Sequence, residues 1–289
     1  MKIVITGGSG FIGTNLVQFY IEKGFDVISL DISMPRNKLH LRCWKNLNIL
    51  DKDALKSTIL DFKPDYVVHL AARTDLNGKK ISDYRANFEG VENLLQISAI
   101  TPSVKRVILA SSMLVCKVGY IPKDFNDYLP TTIYGESKVL TEKVIKDFKT
   151  SHFKSIIIRP TSIWGPWFGA PYLNFFKLVK KGLFFKFGDS LATKTFGFVG
   201  NTISQIDTLL FCDDKLLIFD VYYLGDDPPL NIGDWADSIS DTFEKEKCHS
   251  VPEFLIKILA LFGDILEKLQ VNFPLNSFRI KNLTTDNII

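Results

Sequence analysis

Lys2-Ile3-Val4-Ile5-Thr6-Gly7-Gly8-Ser9-Gly10-Phe11-Ile12-Gly13 is the stretch from which the fold is read. An apolar run, Ile3 to Ile5, enters a turn with glycines at three-residue intervals, and Asn15 to Ile21 then shows helical periodicity up to Gly24. The order is strand, glycine turn, helix. A side chain at such a turn would hold a pyrophosphate away from the backbone and keep the helix from packing close to its strand. The helix N-terminus adds free N–H groups and a partial positive charge. The spacing is GxxGxxG rather than GxGxxG, so context carries the argument. Asp31 closes the next apolar run, Asp26 to Leu30, at the distance expected of a carboxylate that holds a ribose.

Outward from that turn, strand and helix patterns alternate. Leu47 to Leu50 reads as a third strand after an irregular segment with Pro35, Arg36 and Arg42, and Asp51 caps a helix reaching Phe62. Tyr66 to Leu70 is a fourth strand, almost wholly apolar as a parallel sheet covered on both faces requires. A long helix follows over Ile81 to Ala99, then a strand over Val104 to Ala110 ending in Ser111-Ser112, a helix over Tyr134 to Phe148, and a strand over Ser155 to Pro160. This alternation predicts an α/β fold with a doubly wound parallel sheet. Beyond Pro160 the rhythm breaks. Trp164 to Gly188 is rich in aromatics, glycine and proline, Phe196 to Tyr223 mixes short strand-like runs with a helical one, and helices are expected near Gly233 to Phe243 and Pro252 to Gln270. The expected division is a dinucleotide-binding domain over residues 1–163 and a smaller, irregular substrate-binding region over 164–289, interleaved with the first.

A chain of 289 residues has room for one large or two unequal cores. A net charge of +3 with both signs mixed throughout gives no basis for nucleic-acid binding. Cys43, Cys116, Cys212 and Cys248 lack paired spacing, which argues against zinc or any other metal site and against a disulfide framework, and fits a reducing compartment. No leader pattern precedes the first strand, and no apolar run approaches the roughly 20 residues of a membrane span. A cytoplasmic protein is expected.

Tyr134 and Lys138 stand four residues apart on one helix face. A free tyrosine, with a pKa of about 10, is a poor base near neutrality, but an adjacent ammonium and a cationic nicotinamide favour its phenolate. That phenolate can take a proton from a hydroxyl while a hydride leaves the same carbon. Alone, such a pair is an ordinary solvated helix face. Ser111 and Ser112 lie at the carboxyl edge of the sheet, where open α/β sheets bind ligands, and a hydroxyl there can donate to an oxygen that becomes a carbonyl.

With these pieces in order, the chain resembles an extended short-chain dehydrogenase/reductase, in the NAD-dependent epimerase/dehydratase branch that acts largely on nucleotide sugars. The matching residues are Gly7, Gly10 and Gly13, Asp31, His69-Leu70-Ala71-Ala72, Asn87 with Gly90, Ser111-Ser112, Tyr134 and Lys138, Arg159-Pro160 and Gly165-Pro166. The resemblance implies a Rossmann-type doubly wound sheet and NAD bound by Gly7, Gly10, Phe11, Ile12, Gly13, Asp31, Asn48, Ile49, Leu70, Ala71, Ala72, Asn87, Tyr134 and Lys138. It implies Ser112, Tyr134 and Lys138 as catalytic residues, and Arg73, Ser112, Asn174 and Lys194 as substrate contacts. His69 is structural on this reading, beneath the cofactor loop. Asp31 repels a 2′-phosphate and so favours NAD over NADP, although Arg36 and Arg42 follow close behind it.

Departures from the family pattern narrow the reaction. Sugar dehydratases of the family usually carry an acidic pair after the hydroxyl residue. Here those positions are Met113 and Leu114, which do no acid–base work. Cys116 replaces a family tyrosine and reads as a packed thiol. In the looser second half, Lys194 and Asn201 stand where the family has an arginine and an aspartate, so a phosphate is met without a bidentate fork. Trp164, Trp167, Phe168, Tyr172 and Phe175 are candidates for stacking, with core packing the commoner use. The apolar run Phe254 to Phe262 is expected to be buried or to lie at a subunit contact, and the C-terminus reads as short for the family. The expectation is an NAD-dependent nucleotide-sugar epimerase of surface polysaccharide or sugar-nucleotide metabolism, working as a homodimer through the helices near 81–99 and 134–149. The alternatives are a dehydrogenase or reductase of a sugar or sterol-like alcohol, and a non-catalytic NAD-binding module.

Overall fold

The computed structural model describes residues 1–169, 172–187, 191–268 and 277–289. Strand β1 (Lys2–Thr6) leads through the glycine turn into helix α1 (Phe11–Glu22), which begins four residues earlier than the periodicity alone shows. β2 (Asp26–Asp31), β3 (Trp44–Asn46), α2 (Lys52–Phe62) and β4 (Tyr66–His69) follow. Next come α3 (Arg85–Ala99), β5 (Arg106–Ala110), α4 (Ile133–Asp147), β6 (Lys154–Pro160) and β7 (Ser162–Trp164). The rest of the chain gives α5 (Tyr172–Lys180), β8 (Lys186–Phe187), β9 (Thr193–Lys194), β10 (Phe196–Phe198), α6 (Val199–Phe211) and β11 (Val221–Leu224). It ends with β12 (Leu230–Asn231), α7 (Ile232–Thr242), β13 (Ser250–Val251), α8 (Glu253–Lys268) and α9 (Ser277–Thr284). Gln270, where the last expected helix was to end, lies outside the described residues.

Seven strands pair in the order β11-β6-β5-β4-β1-β2-β3. The ladders on either side of β1, β4, β5 and β6 are all parallel. This is the doubly wound sheet that the alternation predicts. Successive strand residues face opposite sides and feed two cores. Ile3, Ile5, Val68, Ile108, Ile156 and Ile158 join Leu16, Val17 and Tyr20 of α1 and Ile203 and Ile206 of α6 in one cluster. Val4, Val67, Val107, Leu109 and Ile157 join Leu55 and Ile59 of α2 and Val91, Leu94 and Leu95 of α3 in the other. Both faces are thereby closed to water, and the strands are apolar because both of their faces are interior.

Three differences from the sequence expectations have physical causes. The third strand is Trp44–Asn46, just ahead of Leu47 to Leu50, because its register against β2 runs only from Ser29↔Trp44 to Asp31↔Asn46. Leu47 donates to the Asp31 carbonyl, and Asn48 then turns the chain by accepting from Leu50 N at 3.0 Å. Leu47 and Ile49 are buried all the same, as loop residues. Second, the long helix expected from Ile81 opens as a 3-10 turn, Ile81–Tyr84, before α3 proper. Third, α6 and β11 of the irregular second half belong to the dinucleotide fold, α6 against α1 and β11 along β6.

The chain forms two compact units: residues 1–117, 122–168 and 197–225 in the first, and 118–121, 169–196 and 226–289 in the second. In the second, β9 pairs antiparallel with β12 and β8 parallel with β13. Its aromatic core is centred on Trp235 of α7, with ring centroids 4.6 Å from Phe196, 5.2 Å from Phe175 and 5.4 Å from Phe176. Phe175 is therefore a packing residue. On α8, Ile256 and Ala260 are buried while Phe254, Leu255, Ile258, Leu261, Phe262 and Ile265 are exposed, so this run is buried only in part. Among the described residues no helix is long and apolar enough to cross a membrane.

Candidate active site

The carboxyl ends of β1 and β4 lie side by side where the strand order reverses, and the turns that leave them diverge there. Gly7 takes a left-handed φ of +73°, and a Cβ on it would stand 2.6 Å from Ala71 N, so the turn after β1 touches the segment after β4. At Gly13 a Cβ would stand 2.1 Å from the Gly7 carbonyl oxygen. Only a residue without a side chain lets α1 start this close to the turn. Gly10, the N-cap of α1, has no side chain to cap the first turn, so the amides of Phe11, Ile12 and Gly13 face outward from a positive helix end. Asp31 holds the same loop: its carboxylate accepts from Ser9 N at 3.0 Å and Ser33 N at 2.9 Å. Arg36 donates to the carbonyls of Ser9, at 3.1 Å, and Trp167.

Across the sheet edge, three consecutive residues at the end of β5 reach α4. Lys138 Nζ donates to the Ala110 carbonyl at 2.8 Å, Ser111 Oγ donates to Glu142 Oε1 at 2.6 Å, and the Ser112 side chain is near enough to the Tyr134 phenol to favour its ionisation. Ser112 also opens the 3-10 turn Met113–Val115, its Oγ accepting from Leu114 N at 3.1 Å. α4 is set against this edge by Thr132, which caps it through Gly135 N at 3.0 Å. Tyr134 is 8% exposed and Lys138 3%. Burial pushes the Tyr134 phenol up to about 12, with the Ser112 hydrogen bond acting downward and Tyr84 upward. Burial likewise pushes Lys138 down to about 8, against the pull of the Glu142 carboxylate. Both groups thus resist charge in the free protein, and a ligand that brings charge of its own changes that balance.

Residues around the pair are tied tightly to protein. Asn87 is fully buried: its Oδ1 accepts from Arg73 N at 2.8 Å, and its Nδ2 donates to Arg73 O at 3.0 Å and Ser137 Oγ at 2.9 Å. It staples the segment after β4 to α4. Arg73 makes a bidentate pair with Asp75, at 2.8 and 3.1 Å, and lies over the Tyr84 ring, 5.1 Å from its centroid. Tyr84 is itself buried 6.2 Å from the Tyr134 ring. His69 is buried with Nδ1 2.7 Å from Thr6 Oγ1, and that oxygen accepts from Ala71 N at 3.3 Å. Burial, with the nearby Lys138 ammonium, pushes His69 down to about 3, so it is a neutral prop under the Ala71 segment. Leu70 and Ala72 flank Ala71 and are half-buried. Asn48 is exposed, while Ile49 packs where Gly90 has no side chain.

The family model described as the NAD dependent epimerase/dehydratase family matches residues 3–210. The chain belongs to this family. A UDP-glucose 4-epimerase of Vibrio cholerae is 29% identical over 284 residues, 93% of this chain and 85% of the relative. An N-acetyl-alpha-D-glucosaminyl-diphospho-ditrans,octacis-undecaprenol 4-epimerase of Escherichia coli O157:H7 is 27% identical over 292 residues, covering 97% of this chain and 84% of the relative. Among solved structures, the UDP-glucuronic acid 4-epimerase of Bacillus cereus in complex with NAD superimposes with a TM-score of 0.70 at 24% identity, over 88% of each chain, a likeness of fold. The protein is accordingly an NAD-dependent enzyme. The glycine loop fits this cofactor, since its closest approaches would be filled by any Cβ and its uncapped helix end suits a pyrophosphate. Asp31 is oriented at the same loop by the backbone amides of Ser9 and Ser33.

Asn174 is in the second unit, on α5, lining an open depression of about 280 Å³ with Lys177, Leu178, Lys181 and Leu183. Lys194, also in that unit, donates to the Asn282 carbonyl and is held below the usual lysine range by burial. It is committed to α9. Trp164 packs on Phe198 at 5.1 Å and Phe168 on Phe11 at 6.2 Å. Cys116 is buried, with Sγ 3.3 Å from the Asp127 carbonyl and its thiol pushed up by burial, as an inert thiol would be. Sequence reasoning missed Tyr84 and Glu142. Glu142 had a signal, since it continues the four-residue spacing of Tyr134 and Lys138.

Proposed function

We propose that the protein is a nucleotide-sugar epimerase in which Tyr134, Ser112 and Lys138 carry the chemistry. The observation that supports this most is the burial of Tyr134 and Lys138 one helical turn apart on α4, with Lys138 Nζ tied at 2.8 Å to the Ala110 carbonyl two residues before Ser112. A sugar hydroxyl entering this edge meets an acceptor and a donor for the same oxygen. Tyr134 Oη takes its proton, and Ser112 Oγ hydrogen-bonds the oxygen as it becomes a carbonyl. Lys138 lowers the cost of the phenolate by its charge. When bound, NAD supplies the acceptor and later the donor of the hydride. Rotation of the keto-sugar before the return step inverts the carbon, and Tyr134 gives the proton back.

Met113 and Leu114, in the turn that Ser112 opens, supply no acid–base pair for dehydration, which favours epimerisation. The 4-epimerase relatives support a nucleotide diphosphate sugar as substrate. Four free thiols support a reducing, cytoplasmic setting, and the homodimer through α3 and α4 belongs to the same reading. The test incubates the NAD-loaded protein with UDP-glucose, UDP-galactose and their N-acetyl and uronic acid forms, following sugar interconversion by proton NMR and NADH by absorbance. Interconversion without net NADH is the expected result. Sustained NADH release on an alcohol would overturn it in favour of a one-way dehydrogenase, and a Tyr134→Phe variant with full activity would remove Tyr134 from the mechanism.

A further inference from the structure

Glu142 is fully buried one turn beyond Lys138, and each carboxylate oxygen accepts two hydrogen bonds. Oε1 receives Ser111 Oγ at 2.6 Å and Arg159 Nε at 2.8 Å, and Oε2 receives an Arg159 guanidinium N–H at 2.8 Å and the Tyr128 hydroxyl at 2.9 Å. Lys146 Nζ is 3.6 Å away. Burial by itself would raise this carboxyl, but the Arg159 hydrogen bonds and charge, with Ser111 and Tyr128, hold it below the usual carboxylate range. Arg159, equally buried, spends its remaining N–H groups on Tyr223 Oη at 2.9 Å and the Phe125 carbonyl at 2.7 Å. One carboxylate therefore joins β5, α4, β6, β11 and the segment that follows Ser112. A buried ion pair rarely adds stability over apolar residues of the same volume, so its presence at this place calls for another use.

We infer that Glu142 is the positioning residue of the active site: it fixes the end of β5 through Ser111 and sets a buried carboxylate one helical turn from Lys138 on α4. Ser111 lies between Ala110, whose carbonyl receives Lys138, and Ser112, whose side chain acts downward on the pKa of the Tyr134 phenol. Anchoring the middle residue sets the phase of both neighbours. The charges around Lys138 are few. His69 of β4 is neutral, Tyr134 stands one turn before it, and Glu142 is the anion whose field reaches it. The groups that face Glu142 are Arg159 of β6, Lys146 of its own helix, Tyr128, and at longer range Tyr223 of β11 and Cys116. Arg159 balances the charge of Glu142 without itself touching Lys138.

The inference rests on the proposed roles of Tyr134 and Lys138, but its test does not depend on turnover. Lysine labelled with carbon-13 at Cε reports the Lys138 titration in the protein without ligand, assigned by the signal lost in Lys138→Met. In Glu142→Gln the midpoint is expected to fall from about 8 by roughly one pH unit or more, the usual effect of removing an adjacent opposite charge. Because Glu142→Gln leaves a guanidinium buried, Glu142→Gln/Arg159→Met is measured alongside it, with a smaller fall expected because the balancing cation goes with the anion. Ser111→Ala, which keeps the ion pair, is expected to leave the midpoint in place and to lower kcat on a nucleotide sugar about tenfold with KM unchanged. An unmoved midpoint in either Glu142 variant that keeps its native circular dichroism, or a wild-type kcat in Ser111→Ala, overturns the inference. Absence of turnover in the wild-type chain would instead overturn the proposed function, and the midpoint would still decide the role of Glu142.

Discussion

Replacing Gly13 by alanine is expected to separate cofactor binding from folding. The added methyl would lie 2.1 Å from the Gly7 carbonyl oxygen and 2.8 Å from Gly8 Cα, both backbone atoms that cannot rotate away. Non-bonded heavy atoms rest at about 3.5 Å, so the start of α1 and the glycine turn must part by roughly 1 Å. That is enough to take one or two amides of the first turn out of reach of a pyrophosphate. Each hydrogen bond to a charged group contributes about 1.5–3 kcal/mol. Each 1.4 kcal/mol or so is tenfold in Kd, so NAD affinity is expected to fall about ten- to hundredfold if one such bond is lost and up to about ten-thousandfold if two are. Gly24→Ala is the control. Gly24 also has a left-handed φ, +76°, but nothing lies within 4 Å of its would-be Cβ. It should cost about 1 kcal/mol of stability, the penalty for a side chain in that conformation, and leave NAD binding alone. Isothermal titration with NAD, paired with urea unfolding of the same preparations, reads both quantities. If Gly13→Ala binds NAD as the wild type does, the close approach of α1 to the turn is not what holds the cofactor site together.

Tyr134→Phe should retain NAD affinity while kcat falls roughly a hundred- to ten-thousandfold, the usual contribution of a positioned proton acceptor, as steady-state kinetics will read. Asp31→Ala is expected to narrow the preference for NAD over NADP about tenfold, the loss of one charged hydrogen bond, measured by titration with each dinucleotide. His69, pushed down to about 3, takes up protons more readily in the unfolded chain. Its contribution to stability is complete above its ordinary value near 6.5 and is lost as the pH falls toward 3. About 2 kcal/mol should therefore disappear between pH 7 and pH 5 in denaturant unfolding, and His69→Gln should show a shallower slope.

The first half of the fold was legible because its strands carry two signals at once, apolar runs for both faces and turn chemistry at their ends. Asp51, for example, caps α2 through Ala54 N at 3.1 Å as its place in the sequence predicts. Leu47 to Leu50 misled because burial by a loop and burial by a strand look alike over four residues, and only the end of the β2 register separates them. α6 and β11 were hidden for another reason. What assigns them to the first unit is packing against α1 and pairing with β6, contacts made across long stretches of sequence. In the site, spacing on one helix exposed Tyr134 and Lys138, whereas nothing local in the sequence tells that the Arg73 guanidinium is spent on Asp75 and Tyr84 or that Lys194 is spent on a carbonyl. Hydrogen-bond partners far along the chain are decided by the fold, and family spacing cannot name them.

Ser111 and Ser112 are adjacent and chemically identical, yet the strand end directs one hydroxyl to a buried carboxylate and the next to the Leu114 amide, on the side of the phenol. A single-residue slip of β5 would keep a serine at the phenol's side while turning the other away from Glu142. The frame of this strand end, more than the presence of a hydroxyl, is what a working copy of the protein has to preserve.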